Sequence, residues 1–397
     1  MKFFVPTVQH SLLVVKMLPA IPTELKGLLL PDKNLSILDF IQLTLPPMAC
    51  PAPTISINIG DYISDNEPEE IDNRNIEIVS GMVVPPASIV KSLRHLLSKE
   101  MSTSKSIRIP FLPTAHRLPL WIIPYWESMI IIWKLQSHWH RAEVSLQKNG
   151  QARKGIPSPM VPLINSVYSV LAGLTWGETL HGFPAKLPVD CLTTYLTMDW
   201  LSDEHLTQLL ELLKQNMWHA QRNRAISVEA IHFIPLLCNA YNDRDEYQTK
   251  KHWEWLRAKG NTLQSGVHQQ TTAIANTGSN HWIALVLDFQ KKMIQFGDSM
   301  AGELSDNLKK ALEWWTHLHS GSTFTHGFLP ISQQHDGYSC GLLAWNALAA
   351  YILDDIELIN PEDVAEEQLR VLLRIVDFHL SQVYSNHLMH SNSYLPP

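Results

Sequence analysis

The segment 331–345 joins a polar, glycine-containing loop to an apolar helix that is predicted to begin at Cys340. The N–H groups of a first helical turn have no partner within the helix, and the helix dipole is positive there. Both effects stabilise a thiolate, so this position predicts a nucleophilic cysteine with a lowered pKa. Gly341 would let a substrate carbonyl approach the backbone closely. The alternative is that Cys340 is a small buried apolar residue at a helix start.

A cysteine nucleophile needs a base and a group that orients the base, and His281 and Asp298 are the candidates. His281 precedes an apolar run that predicts a strand over 282–289, and Asp298 follows a second strand-like run over 292–296. A polar turn separates the runs, so antiparallel pairing would bring both residues to one edge of a sheet. The alternative is that neither residue is catalytic. The chain has 19 histidines, so His281 could be an ordinary one, and Asp298 could cap a helix.

Gln334 lies in the loop before Cys340 and is a candidate donor to an oxyanion. Its side-chain N–H and the backbone N–H of Cys340 would form a two-donor hole for the tetrahedral intermediate of acyl transfer. The alternative is that Gln334 is an ordinary polar loop residue. Together with the pair above, these residues predict a site for thiol-dependent acyl transfer.

The surrounding elements predict an α+β domain, because helices and strands mix without a regular βαβ alternation. Helices are predicted over 304–318, 341–353 and 361–384, and an apolar, partly β-branched run predicts a strand over 226–237. A tryptophan-rich helix over 126–148 is predicted to pack within its own domain, with partner binding as the alternative. The acidic stretch 61–72 predicts a solvated loop or linker.

The proline-containing segment 151–162 is typical of a linker. We therefore predict an N-terminal extension of unknown role over 1–160, helical from about residue 125, and a catalytic domain over 161–390.

Composition excludes several classes of function. With 45% hydrophobic and 17% charged residues the chain is globular, and its net charge of −7 gives no basic field for nucleic acid. The four cysteines form no CxxC pair, so neither a zinc site nor a disulfide framework is indicated. No run approaches the roughly 20 apolar residues of a membrane span. We expect a protein of the nucleus or cytoplasm that needs no metal or organic cofactor.

The chain resembles the ubiquitin-like-protein-specific cysteine proteases, also called SUMO- or sentrin-specific proteases, of the adenovirus-protease-like clan. The resemblance covers about residues 167–384. Four motifs carry it, in the order of the family: Trp200-Leu201-Ser202-Asp203-Glu204, His281-Trp282, Asp298-Ser299, and Gln334-His335-Asp336-Gly337-Tyr338-Ser339-Cys340-Gly341.

The resemblance implies a papain-like cysteine protease fold of the SUMO-protease type. In that fold a central mixed sheet is flanked by helices, and the nucleophile stands at the N-terminus of a buried helix. The resemblance implies that Cys340 attacks the carbonyl of a C-terminal glycine, with His281 as the base. Asp298 would orient the base, and Gln334 would serve the oxyanion hole.

The resemblance also implies a substrate. Trp200 and Trp282 would form a narrow tunnel around the Gly-Gly end of a SUMO-like modifier, in a precursor or in a conjugate. Asp203 would pair with a basic residue of the modifier. Core packing is the alternative for the two tryptophans, and helix capping is the alternative for Asp203.

The sequence also departs from the family pattern. Ser339 stands where aspartate is common, and Asp336 and Ser202 stand where asparagine is common. Two other functions stay open: a deneddylating enzyme or acyltransferase of the same clan, and a noncatalytic protein that binds a ubiquitin-like modifier.

Overall fold

The computed structural model describes residues 17–49, 58–71, 76–98, 104–109, 116–151, 158–278 and 281–392. The chain divides into two compact units, residues 1–140 and 141–397. Residue 140, where the first unit ends, lies in the helix Ile122–Gly150. The boundary of about residue 160 between an N-terminal extension and a catalytic domain stays a prediction. Residues 152–157 of the predicted linker lie outside the described residues.

The first unit combines helices with a small three-stranded antiparallel sheet of order β1-β2-β3. Its elements are α1 (Thr23–Leu29), α2 (Ile37–Gln42), β1 (Ile63–Ser64), α3 (Ile76–Ser80), α4 (Ala87–Leu97), β2 (Ser106–Ile107), β3 (Leu118–Pro119) and α5 (Ile122–Gly150). The start of the acidic stretch 61–72 is not a solvated loop: it forms a short 3₁₀ helix and β1, because Tyr62 is buried.

The tryptophan-rich helix α5 packs within its own unit. Trp126 is fully buried. The buried amide of Gln136 donates to the carbonyls of Phe40 and Leu43 at 2.8 Å each. The indole of Trp133 donates to the carbonyl of Pro46 at 2.8 Å. These contacts join α5 to α2 and the segment after it.

The second unit is built on a mixed five-stranded sheet of order β4-β5-β6-β7-β8. β4 (Ile226–Val228) runs parallel to β5 (Gln270–Asn276), and β7 (Met293–Gly297) runs parallel to β8 (Thr325–Phe328). β5, β6 (Trp282–Asp288) and β7 are antiparallel neighbours. The helices are α6 (Val161–Gly173), α7 (Asp203–His219), α8 (Phe233–Asn242), α9 (Glu254–Gln264), α10 (Asp306–Ser320), α11 (Cys340–Ile352) and α12 (Val364–Asn392). The fold class is α+β, as predicted.

Every residue of β6 is buried, because helices cover both faces of the sheet. On one face Ile283 and Leu285 join a core with Phe233 of α8 and Trp315 of α10. On the other face Trp282 lies beside α11, which packs against β6. Within the described ranges, no helix combines the length and the apolar character that crossing a membrane requires.

The segment 226–237 is not one strand, as predicted, but β4 followed by α8. Ile226 and Val228 pair with β5. The later apolar residues Phe233, Leu237 and Ala240 recur at helical spacing and are all buried. This single apolar run therefore contains a strand, whose side chains repeat every two residues, and a helix, whose side chains repeat about every 3.6 residues.

Candidate active site

His281 and Asp298 lie at adjacent ends of β6 and β7. β6 begins directly after His281, and β7 ends directly before Asp298. The hairpin brings the two side chains together, and His281 Nε2 lies 2.7 Å from Asp298 Oδ1. Both side chains are largely buried. The structure thus brings these two residues together in the way that the strand pattern indicates.

The carboxylate of Asp298 sets the tautomer of His281. The backbone N–H of Met300 donates to Asp298 Oδ1 at 2.7 Å and holds the carboxylate in place. Gly302 leaves room for this carboxylate, since a Cβ there would lie 2.6 Å from Asp298 Oδ2. An ionised carboxylate only accepts hydrogen bonds, so the neutral imidazole carries its hydrogen on Nε2. Nδ1 then has the lone pair that a general base requires.

Cys340 is the first residue of α11, and its side chain is almost completely buried, with 2% of the residue exposed. The indole Nε1 of Trp200 donates a hydrogen bond to its sulfur at 3.2 Å. The backbone N–H groups of Trp282 and Gly341 are also near enough to the sulfur to lower its pKa. Because Trp282 follows His281 directly, its contact with the sulfur joins the segments of the candidate base and the candidate nucleophile.

Burial raises the pKa of the Cys340 thiol above its ordinary value, and the three N–H donors, which lower the pKa, only partly offset it. The negative charge of Asp336 also raises this pKa. The sequence predicted a lowered pKa from the helix N-terminus. That prediction is wrong for the described arrangement, because neighbouring side chains remove the sulfur from water. The thiol form is therefore favoured here.

Trp200 and Trp282 stack on each other, with ring centroids 5.3 Å apart and an angle of 22° between the rings. Trp282 is a buried core residue whose indole donates to the carbonyl of Leu201 at 3.0 Å, while Trp200 is half-buried. A peptide main chain between two rings needs roughly 7 Å, twice the contact distance of two carbon atoms. The tunnel that the sequence predicted is therefore closed in this structure.

Gln334 is held in a fixed orientation. Its Oε1 accepts from the hydroxyl of Ser299 at 2.7 Å, and its Nε2 donates to the carbonyl of Asp336 at 2.8 Å. Its backbone N–H donates to the carbonyl of Ser299 at 2.9 Å. One hydrogen of the amide is thus used within the loop, and an oxyanion would have to take the second.

Asp203 is exposed at the first position of α7. The N-cap of this helix is Ser202, which forms a capping box with His205. Asp203 is therefore not the residue that caps the helix. Asp203 follows Trp200 by three residues, and its role toward a modifier stays a prediction.

Two residues of the sequence motifs shape the site in ways that the sequence did not predict. Ser299 fixes the amide of Gln334. Asp336 Oδ1 accepts from the backbone N–H of Tyr338 and Ser339 at 2.9 and 2.8 Å and so orders the loop before α11. The Asp-Gly pair at 336–337 was the available signal, since aspartate often makes such turns. In the part of the chain that the structure describes, no group of three or more His, Cys, Asp or Glu residues could hold a metal ion.

No family model and no curated protein matches the chain, but solved structures do. The C-terminal Ulp1 protease domain, in complex with Smt3, the yeast ortholog of SUMO, is 18% identical; the match covers 54% of this chain and 94% of that chain, with a TM-score of 0.40. The Chaetomium thermophilum Ulp1-like SUMO protease catalytic domain is 14% identical over 61% of this chain and 88% of that chain, with a TM-score of 0.35.

A third match is the Xanthomonas campestris effector protein XopD bound to ubiquitin. It is 22% identical over 44% of this chain and 91% of that chain, with a TM-score of 0.32. The solved structures to which this chain is similar thus include SUMO proteases, the family that its four sequence motifs resemble.

Proposed function

We propose that the chain is a cysteine protease that cleaves after the C-terminal Gly-Gly of a SUMO-like modifier, in precursors, in conjugates or in both. One observation carries the proposal. Gly341, the residue after Cys340, packs against Trp282, the residue after His281, and His281 Nε2 lies 2.7 Å from Asp298 Oδ1. A thiol, an imidazole and an orienting carboxylate thus lie on three neighbouring elements, which is the set that nucleophilic catalysis requires.

The first step follows from the tautomer of His281. Its Nδ1 takes the proton of the Cys340 thiol, and the thiolate attacks the carbonyl carbon of the terminal glycine. A C–S bond forms, and the carbonyl oxygen becomes an oxyanion. The backbone N–H of Cys340 and the second amide hydrogen of Gln334 stabilise this charge. Asp298 stabilises the imidazolium and keeps it oriented.

The second step releases the amine. The C–N bond breaks as the protonated His281 gives its proton to the leaving nitrogen, which is a lysine Nζ in a conjugate and an α-amine in a precursor. The modifier stays on Cys340 as a thioester. His281 then takes a proton from water, and the resulting hydroxide attacks the thioester carbonyl. The C–S bond breaks, the modifier leaves with a free C-terminal carboxyl group, and the protonated His281 returns its proton to the sulfur of Cys340.

The stacking of the two tryptophans is evidence for a Gly-Gly tail, which has no side chains, as the substrate. The indole of Trp200 must leave Cys340 before any carbonyl can reach the sulfur. A chain that enters between Trp200 and Trp282 has the smallest cross-section when it consists of glycine. The exposed carboxylate of Asp203 would meet a basic side chain on the body of the modifier.

Activity-based probes test the proposal. SUMO, ubiquitin and the modifier of deneddylating enzymes, each carrying a C-terminal electrophile, are incubated with the full chain, and adducts are measured by intact mass. We expect a SUMO adduct that Cys340→Ala abolishes. The matched control is Cys238→Ala, which removes a half-buried cysteine away from the site and should keep labelling unchanged.

Each outcome decides between the candidates. Labelling that persists in Cys340→Ala would overturn the assignment of the nucleophile. Labelling by another modifier alone would replace SUMO with that modifier as the substrate. Binding of a modifier without any adduct would favour the noncatalytic modifier-binding protein, and transfer of an acetyl group from a thioester donor would favour the acyltransferase.

We also propose an intracellular location, in the nucleus or the cytoplasm. A thiol nucleophile stays reduced in these compartments, and the substrates of such an enzyme are found there. Imaging of a fluorescently tagged chain tests this proposal, and secretion of the tagged chain would overturn it.

A further inference from the structure

His205 holds two separate pieces of backbone together beneath the candidate site. Its Nε2 lies 2.9 Å from the carbonyl oxygen of Cys191, in the 3₁₀ helix Val189–Leu196. Its Nδ1 accepts from the backbone N–H of Ser202 at 3.2 Å and lies 2.8 Å from the hydroxyl of Ser202. A carbonyl oxygen only accepts, so Nε2 carries the hydrogen and Nδ1 is the acceptor. Burial lowers the pKa of His205, which favours this neutral form.

The backbone that His205 fixes is the cover segment, which we define as Trp200, Leu201 and Ser202. Trp200 donates to the sulfur of Cys340 at 3.2 Å. The carbonyl of Leu201 accepts from the indole of Trp282 at 3.0 Å. Each residue of the cover segment thus has its own hydrogen bond to a different partner.

Entry of a substrate affects the hydrogen bonds of Trp200 and Ser202 differently. The bond from Trp200 must break, since its ring covers the nucleophile. The bond from Ser202 to His205 does not involve the ring, and its acceptor, the imidazole of His205, is buried. His205 is therefore placed to keep the backbone of the cover segment fixed while the ring of Trp200 moves.

We propose that His205 is a positioning residue that holds Trp200 over the sulfur of Cys340 through the backbone N–H of Ser202. In a capping box the third helical position normally carries Glu or Gln, which bonds only to the cap. The imidazole of His205 has a second nitrogen, and this nitrogen ties the cap to the 3₁₀ helix. The proposal rests on the proposed function only for the role of Cys340 as the nucleophile.

The test measures how fast iodoacetamide alkylates Cys340, by mass spectrometry of the peptide that contains it. His205→Ala should increase this rate about fivefold, the factor that the loss of one hydrogen bond of typical strength produces. The same change in a Trp200→Ala background should add nothing, because the ring that His205 positions is gone. Equal rates in His205→Ala and the unchanged protein, or an additive effect on Trp200→Ala, would overturn the proposal.

Two variants of similar size separate positioning from simple stability. His205→Gln keeps an acceptor for the backbone N–H of Ser202, as in an ordinary capping box, and His205→Leu fills the space without any acceptor. We expect slow alkylation in His205→Gln and fast alkylation in His205→Leu, whatever their thermal midpoints. If His205→Ala does not fold, these two variants decide the question. The proposal would be overturned if their alkylation rates followed their thermal midpoints and not the presence of an acceptor for the N–H of Ser202.

A turnover measurement adds a readout of the same residue. On a Gly-Gly substrate we expect His205→Ala to raise KM and leave kcat within about twofold, since chemistry at Cys340 is unchanged once substrate is bound. Alkylation does not require protease activity. Failure of the proposed function would therefore leave every probe unreactive while the alkylation rates still respond to His205.

Discussion

The indole nitrogen of Trp200 lies 3.2 Å from the sulfur of Cys340 and donates a hydrogen bond to it. The ring that makes this bond also stacks on Trp282, so it is held both by its edge and by its face. The sulfur behind it is almost inaccessible. The described arrangement is thus a resting one, in which the nucleophile is covered until the ring moves.

Replacing Trp200 should have opposite effects on a small reagent and on a protein substrate. Trp200→Ala should speed alkylation of Cys340, because the ring no longer covers the sulfur and burial, the largest cause that raises its pKa, is reduced by more than the lost indole donor offsets. Turnover of a Gly-Gly substrate should fall at least about tenfold, since an aromatic contact of this kind is worth about 2 kcal/mol. Both rates are measured on the same preparation.

The matched control is Trp218→Ala, near the other end of α7, where the side chain is 70% exposed. It should leave both rates unchanged. A parallel fall of alkylation and turnover in Trp200→Ala would show that the ring supports the site rather than covers it.

Replacing Asp298 should abolish most of the turnover without unfolding the chain. In Asp298→Asn the amide can donate to Nε2 of His281, which moves the imidazole hydrogen to Nδ1 and removes the lone pair that takes the thiol proton. The kcat should fall about 10³- to 10⁴-fold, as expected for the wrong histidine tautomer. Steady-state kinetics with Asp306→Asn, an exposed position, as the control would check this. A loss below about tenfold would contradict the role of Asp298.

Gly341 is closely packed in the described arrangement. A Cβ there would lie 3.2 Å from both Leu206 Cδ2 and Trp282 Cδ1. Gly341→Ala should lower the free energy of unfolding by about 1–3 kcal/mol, the usual cost of overpacking a core. Gly337→Ala, whose Cβ would meet nothing within 4 Å, should be nearly neutral. Chemical denaturation of both variants measures the difference, and equal stabilities would contradict the packing argument.

His319 should make the stability of the second unit depend on pH. Burial lowers the pKa of His319 from 6.5 to about 4, and its Nε2 lies 3.1 Å from the hydroxyl of Tyr247. Between these pH values the unfolded chain binds the proton and the folded chain does not. Stability is therefore complete above pH 6.5 and falls as the pH is lowered, by up to about 1.4 kcal/mol per pH unit.

The measurement is the free energy of unfolding at several pH values between 7 and 4. In His319→Gln the free energy of unfolding should depend less steeply on pH, by the contribution of one proton. His317 is exposed on the same helix, so His317→Gln should keep the full pH dependence. An unchanged slope in His319→Gln would contradict a neutral, buried imidazole.

The sequence predicted those parts of the site that depend on local pairing. His281 and Asp298 flank two strands joined by a tight turn, so strand pairing alone fixes their proximity. Cys340 begins a helix that its apolar composition predicts. In both cases an apolar run bounded by polar residues was enough to indicate the element and its end.

The remaining features depend on tertiary packing, which the sequence pattern does not encode. The stacking of Trp200 on Trp282 closes the predicted tunnel. This stacking depends on the side chains that pack around each ring and fix its orientation. The raised pKa of Cys340 has the same origin, since burial outweighs the helix N-terminus. The segment 226–237 changes from strand to helix inside one apolar run, where composition alone gives no boundary.

The base and its orienting carboxylate belong to one hairpin, whereas the thiol arrives on a helix that is synthesised later. A nascent chain that has produced β6 and β7 already carries an imidazole–carboxylate pair, but it has no nucleophile beside it. Under the proposed function, proteolytic competence would therefore begin only when α11 docks on the sheet.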